Sequence, residues 1–293
     1  MTGFINFLKP PGMSSHDAVS FIRRLFNIQQ VGHAGTLDPA ASGVLPLAVG
    51  PATRLLEYIA GEEKAYRAEI TLGYETDTGD DTGKILTFCQ NFRSPLRDEI
   101  EAVLAKMVGT ISQVPPMYSA VKVNGRKLYE IAAQGREVER SSREVNIQRI
   151  SLLEYDGKKF YFDVICSKGT YIRSLCVDIG KHLGLPAVMS FLVRTRVGSF
   201  RLESAKTIEE ITEQKDRVLL EPSDVLVNLP TVFLTPRSAE KVRSGQTIAA
   251  ASRYSGIVLL YDTNGHLLGA GRQDGLAGTL APAKIFPYSA EKV

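Results

Sequence analysis

Hydrophobic residues recur along this chain with two periods, and the switches between them divide it into elements. Phe4 to Leu8 reads as a short strand, after which Ser14 and Ser15 stand as N-caps before Val19, Ile22 and Phe26, spaced as on one helix face. Asn27 to Ser42 carries Gly32, Gly35 and Pro39 and is expected to be a loop. From Lys64 to Leu72 the pattern alternates, Tyr66, Ala68, Ile70 and Leu72 against Arg67, Glu69 and Thr71. That predicts a strand with Tyr66 on its apolar face. TDTGDDTG, residues 76–83, reads as a polar acidic loop, and Ser94 with Pro95 is expected to open a helix whose Leu96, Ile100, Leu104 and Met107 form one stripe.

Farther along, YSAVKV is strand-like and runs into the turn signal Asn124-Gly125. Val145 to Leu153 and Phe160 to Ile165 are expected to pair as strands about Asp156-Gly157, and Gly169 to Leu183 to run from a turn into a helix. After Glu221 the pattern becomes short strands and Gly-rich turns, IVLLYDTNGHLLGAG among them. A boundary near Leu226 follows, with a large domain over 1–226 and a compact β module over 227–293. With 293 residues, 44% of them hydrophobic, the chain can build one large core and one small one.

Charge changes this picture more by its distribution than by its sum, a net +3. Residues 120–201 carry 15 Lys and Arg against 8 Asp and Glu, while residues 61–119 carry 6 against 10. A basic segment beside near-neutral or acidic neighbours is expected of a protein with one face turned to a polyanion, although a solvated basic face gives the same count. Cys89, Cys166 and Cys176 are odd in number and lack a CxxC pair, which suggests neither a disulfide framework nor a zinc site and fits a reducing cytoplasm. The most apolar stretch, Val44 to Ala60, is broken by Pro46, Pro51, Arg54 and Glu57, so no membrane span is expected.

Two segments could carry chemistry. In GHAGTLDPAASG, residues 32–43, Asp38 lies between Gly-rich turns and a proline; alone, an Asp before Pro is most often a turn former. In VICSKGTYIRSLCVDIG, residues 164–180, an apolar strand runs through a glycine into Tyr171 and Arg173. A buried arginine there needs a partner, for which Asp38 is a candidate.

Together with LKPPGMSSHDAV near the start and PPMYSAVKVNGRKLYE in the middle, these segments resemble the bacterial tRNA pseudouridine synthase B family, which acts on the uridine at position 55 in the T loop of tRNA. The four motifs stand in the family's order over roughly residues 3–200. The resemblance implies an α+β fold with a mixed, largely antiparallel central sheet, flanking helices and a small C-terminal β-rich module of the PUA type. It puts Asp38 at the catalytic aspartate, Tyr66 at the aromatic that stacks on the target base and Arg173 at the arginine that pairs with the aspartate. It puts His33 at the histidine that supports the flipped loop, Tyr171 and Leu192 in the pocket lining, and Lys9 with Pro10 beneath it. It further implies a monomer that binds the T-arm stem-loop of tRNA and requires neither metal nor cofactor.

Such chemistry needs an ionised carboxylate. Turning uridine into its C-glycoside breaks a C–N bond and reattaches the freed base through carbon, with Asp38 attacking the ring, attacking the anomeric carbon or abstracting a sugar proton. A nearby guanidinium holds a carboxylate ionised, Tyr66 offers a stacking face and a hydroxyl, and the basic stretch from Lys122 to Arg201 can neutralise phosphates. Two other classes fit parts of the pattern. A non-catalytic tRNA-binding or folding protein would be favoured by loss of Asp38 or Arg173, and a small-nucleoside hydrolase would need neither the basic surplus nor a terminal RNA-binding module.

Overall fold

The computed structural model describes residues 1–123 and 125–287, which fall into two compact units. The first comprises residues 1–39, 43–61 and 197 onward; the second comprises 40–42 and 62–196. In chain order the N-terminal stretch holds β1 (Gly3–Lys9), α1 (Ser15–Phe26), β2 (Val31–His33), β3 (Ser42–Val49) and α2 (Leu56–Ala60). The middle holds β4 (Lys64–Leu72), β5 (Tyr74–Thr76), β6 (Ile85–Phe88), α3 (Arg97–Lys106), β7 (Gly109–Gln113), β8 (Lys122–Val123), β9 (Arg126–Lys127) and α4 (Leu128–Ala132). It continues with β10 (Arg143–Tyr155), β11 (Lys159–Cys166), α5 (Ile172–His182) and β12 (Ala187–Val197). The last stretch holds β13 (Phe200–Arg201), α6 (Ile208–Gln214), α7 (Pro222–Val225), β14 (Thr231–Leu234), α8 (Pro236–Arg243), β15 (Ile248–Ala249), β16 (Gly256–Asp262), β17 (Leu267–Asp274) and β18 (Thr279–Ile285). The fold is α+β.

In the first unit β1 and β2 each pair antiparallel with β3. Helix α1 begins at a full capping box: the Ser14 hydroxyl accepts from the Asp17 amide and the Asp17 carboxylate from the Ser14 amide. Its Ala18, Val19 and Ile22 pack on Ile5, Phe7, Leu45 and Leu47. The closing segment builds a five-stranded sheet of order β14-β16-β17-β18-β15, its β14–β16 pair parallel and the other pairings antiparallel. Strand β16 faces apolar neighbours on both sides. Val258 and Leu260 pack with Val242, Leu234 and Leu280, while Leu259 and Tyr261 join Phe4, Val44, Ala48 and Leu55 in one cluster. Successive residues of a strand point to opposite faces, so IVLLY is continuously apolar because it serves two cores.

The second unit holds the sheet order β12-β4-β11-β10-β7, antiparallel in the β4–β11, β11–β10 and β10–β7 pairs. Tyr66, Ala68 and Ile70 stand opposite Val164, Phe162 and Phe160, all buried. Helices α3 and α5 flank this sheet with Ile100, Leu104, Leu175, Cys176 and Ile179 inward. The β10–β11 turn is closed by Asp156, whose carboxylate accepts from the Lys158 and Lys159 amides.

Three local expectations change. The 27–42 loop contains β2, whose pairing with β3 is non-local and leaves no local pattern. The helix after Ser94-Pro95 starts at Arg97, because Leu96 is its N-cap and donates its amide to Glu99 at 2.6 Å; Leu96 is exposed rather than part of the stripe. YSAVKV is a strand only at Lys122–Val123, since the Ser119 and Val121 carbonyls accept from the Tyr129 and Leu128 amides at the start of α4. Asn124 of the turn signal and residues 288–293 of the C-terminal module lie outside the described residues, while Gly125 has a φ of 81°.

Candidate active site

Asp38 is half-buried on the loop after β2, and the residues on either side of it are fastened. The Ser15 hydroxyl, at the start of α1, donates to the Leu37 carbonyl at 3.0 Å and accepts from the Leu37 amide at 2.9 Å. On the other side the Pro39 carbonyl accepts from the Gly12 amide at 2.8 Å and from Lys9 Nζ at 3.2 Å. Lys9 is fully buried, and its ammonium also donates to the Pro10 and Met13 carbonyls at 2.8 and 2.6 Å. The Lys9 ammonium therefore ties the Asp38 loop at Pro39 to the Pro10 and Met13 carbonyls. Gly35 at φ 103° supplies the left-handed turn that lets the chain leave β2. His33 ends β2 opposite Leu47.

Arg173 lies in the first turn of α5, 4% exposed. Nη1 donates to the Thr78 carbonyl at 3.0 Å, Nη2 to the Tyr118 carbonyl at 2.7 Å, and Nε stands 3.8 Å from the Asp80 carboxylate. Asp80 is itself held by the Thr78 and Thr82 hydroxyls at 2.7 and 2.6 Å and by the Thr82 amide at 3.1 Å. Gly79, at φ 74°, lets this loop run past Arg173, where an added Cβ would stand 3.5 Å from the arginine Cβ. TDTGDDTG is thus the cradle of the arginine, a role the reading of it as a polar loop missed. Its alternating Thr and Asp residues signalled local side-chain bonding to backbone; its partner, 95 positions away for Thr78, carried no signal.

Tyr171 is the N-cap of α5, and the Arg143 guanidinium lies 5.6 Å from its ring centroid. Tyr66 and Leu192 are each 7% exposed, on β4 and β12. Two cations lie buried on these same strands. Arg194 is 1% exposed on the Leu192 face of β12, and Lys64 is 7% exposed two residues before Tyr66. Burial, then the Arg194 charge, pushes the Lys64 ammonium down to about 8. Neither burial is marked in the sequence, because a lone cation in an alternating strand looks like an outward-facing residue.

Thus Lys9, Pro10, His33 and Asp38 belong to the first unit, and Tyr66, Tyr171, Arg173 and Leu192 to the second. Among the described residues no group of three or more His, Cys, Asp or Glu is placed to hold a metal ion, and no helix is long and apolar enough to cross a membrane.

Residues 23–172 match the TruB family pseudouridylate synthase N-terminal domain, 173–228 the tRNA pseudouridylate synthase B C-terminal domain, and 230–286 the pseudouridine synthase II TruB C-terminal domain. These matches and the fold define the class, a pseudouridylate synthase. The chain belongs to the TruB family. It is 44% identical to the tRNA pseudouridine synthase B of Caldanaerobacter subterraneus subsp. tengcongensis over 97% of this chain and 99% of that protein. It is 43% identical to that of Geobacillus thermodenitrificans, over 98% and 100%. Among solved structures it superposes with a TM-score of 0.72 and 27% identity on a chain from an H/ACA RNP bound to a substrate RNA containing 2'-deoxyuridine, covering 98% of this chain and 85% of that one.

Proposed function

We propose that this enzyme isomerises the uridine at position 55 in the T loop of tRNA to pseudouridine. The observation that carries the reading is the clamped Asp38 loop within a chain similar to tRNA pseudouridine synthase B proteins along almost its whole length. Ser15 and Lys9 hold the backbone on both sides of the aspartate, so its carboxylate starts from a narrow range of positions. Such preorganisation matters because misplacement by about 1 Å can cost on the order of 10²-fold in rate.

In the reaction the C1'–N1 glycosidic bond breaks, the uracil turns, and a C1'–C5 bond forms. The proton on C5 leaves and N1 gains one, so product and substrate are isomers and no external reductant or oxidant takes part. Asp38 supplies the carboxylate, Arg173 a cation, and Tyr66 an aromatic face and a hydroxyl for the base. His33, Tyr171 and Leu192 receive the flipped nucleotide, whose extraction from the stack costs a few kcal/mol. The segment 227–293 serves as a PUA-like RNA-binding module, a reading supported by its separate sheet and by the family match over 230–286. The enzyme works as a monomer in the cytoplasm.

The test is to incubate the protein with an unmodified tRNA transcript and to map pseudouridine by carbodiimide labelling and mass spectrometry, with Asp38→Asn alongside. Product at the T-loop uridine from wild type and none from the variant, at tRNA affinities within a few-fold, is expected. Product at another position, or undiminished product from Asp38→Asn, would overturn the assignment.

A further inference from the structure

Gln113 closes edge strand β7 with its side chain completely buried. Both halves of its amide engage the backbone of one residue: Nε2 donates to the Tyr171 carbonyl at 3.0 Å and Oε1 accepts from the Tyr171 amide at 2.7 Å. Tyr171 is the N-cap of α5 and makes no side-chain cap of its own. Its carbonyl also accepts from the Leu175 amide at 3.0 Å, the bond that starts the helix. The register partner of Gln113 across β7 and β10 is Arg143, the residue whose guanidinium covers the Tyr171 ring. One residue beyond Gln113, the Val114 carbonyl accepts from the Ser174 hydroxyl at 2.9 Å. The end of β7 therefore grips α5 at the residues that flank the Ile172-Arg173 pair.

From this geometry we infer that Gln113 is a positioning residue for the isomerisation, fixing where α5 begins and so the direction in which Arg173 presents its guanidinium. The inference rests on the reading of Arg173 as a group that acts in the reaction. A helix advances about 100° per residue, so a start displaced by one position would turn Arg173 by more than a quarter of a circle about the axis. The amide also matters for stability, because an apolar side chain here would leave the Tyr171 amide without this acceptor; rate and folding are therefore read separately, while each bond the amide makes restricts the register of its partner.

Three proteins test this in single-turnover reactions on unmodified tRNA, with tRNA affinity by filter binding and near-ultraviolet circular dichroism at the assay temperature. Gln113→Leu removes both bonds, and its rate is expected to fall on the order of 10- to 100-fold at a tRNA affinity within about threefold of wild type. Gln113→Glu keeps the shape. Ionised, its carboxylate accepts from the Tyr171 amide but opposes the Tyr171 carbonyl; protonated, it restores both bonds, and burial raises the pH at which it takes the proton. The rate of Gln113→Glu relative to wild type is therefore expected to climb as pH falls from about 8 to about 6, with the protein folded throughout. A relative rate flat in pH, a loss confined to tRNA affinity, or a loss that follows the unfolded fraction would overturn the inference. The wild type separates the two readings: without pseudouridine from wild type the proposed function fails, and with it only the variants bear on Gln113.

Discussion

At the scale of single residues the arginine cradle is the feature most open to test. Asp80 lies beside Arg173 with its Oδ1 committed to Thr78 and Thr82 and its Oδ2 facing the guanidinium. Asp80→Asn keeps the size and most hydrogen-bonding capacity but removes the charge that holds the guanidinium. The single-turnover rate should drop on the order of 10- to 100-fold, as for other losses of one preorganised charged group, with tRNA binding little changed. A wild-type rate would reduce Asp80 to a loop-former. Lys64 makes a different prediction, because its ammonium titrates near 8 in the folded chain against an ordinary 10.5. Below pH 8 it is charged in both states and adds no pH dependence. Between about 8 and 10.5 the unfolded chain binds the proton and the folded chain releases it, so stability from this group rises with pH. Denaturant titrations of wild type and Lys64→Met should show the difference shifting toward wild type across that window; a constant difference would contradict the burial that depresses it.

Helix α1 and the Asp38 loop form one working element, joined at the Ser15 hydroxyl. Ser15 satisfies both backbone groups of Leu37, and it is buried. Ser15→Ala should cost about 1–3 kcal/mol, the penalty for stranding buried polar groups, and should slow turnover beyond what the lost stability explains, since Asp38 is the next residue. Melting curves with single-turnover rates below the transition separate the two effects, and an unchanged rate would show that the loop is held in place without Ser15. The capping box at Ser14 and Asp17 was legible in the sequence. The Ser15 bond was not, because it joins positions 22 apart through a loop without regular geometry.

For the whole molecule, the boundary near Leu226 gains a physical qualification. Leu259, Tyr261 and Ala270 of the C-terminal segment lie in one cluster with Phe4, Val44, Ala48 and Leu55. Arg54 donates to the Ile285 carbonyl, and Lys284 pairs with Glu57 at 2.9 Å. A chain ending at Leu226 would leave one side of that cluster in water, so it should melt well below the full chain and bind tRNA more weakly. Calorimetry and filter binding check both, and an unchanged melt with unchanged affinity would detach the module from fold and function alike. With its basic surplus in 120–201, the full chain should lose log affinity by about 0.7–0.9 per phosphate contacted for each decade of salt; a flat titration would remove the phosphate-facing role.

The sequence by itself determined the strand that bears Tyr66, the turn that runs into α5, the β-rich ending and, through its four motifs, the family, which in turn implied the α+β class. These features depend on spacing within one element or on short segments of fixed chemistry, which a linear reading captures. Tertiary structure alone decided that TDTGDDTG cradles Arg173, that Gln113 grips the α5 start 58 positions away, that Lys64 and Arg194 lie buried, and that β16 serves two cores. Each of these pairs residues far apart in the chain, and sheet order and helix packing, rather than any local period, decide which distant side chain a backbone group meets.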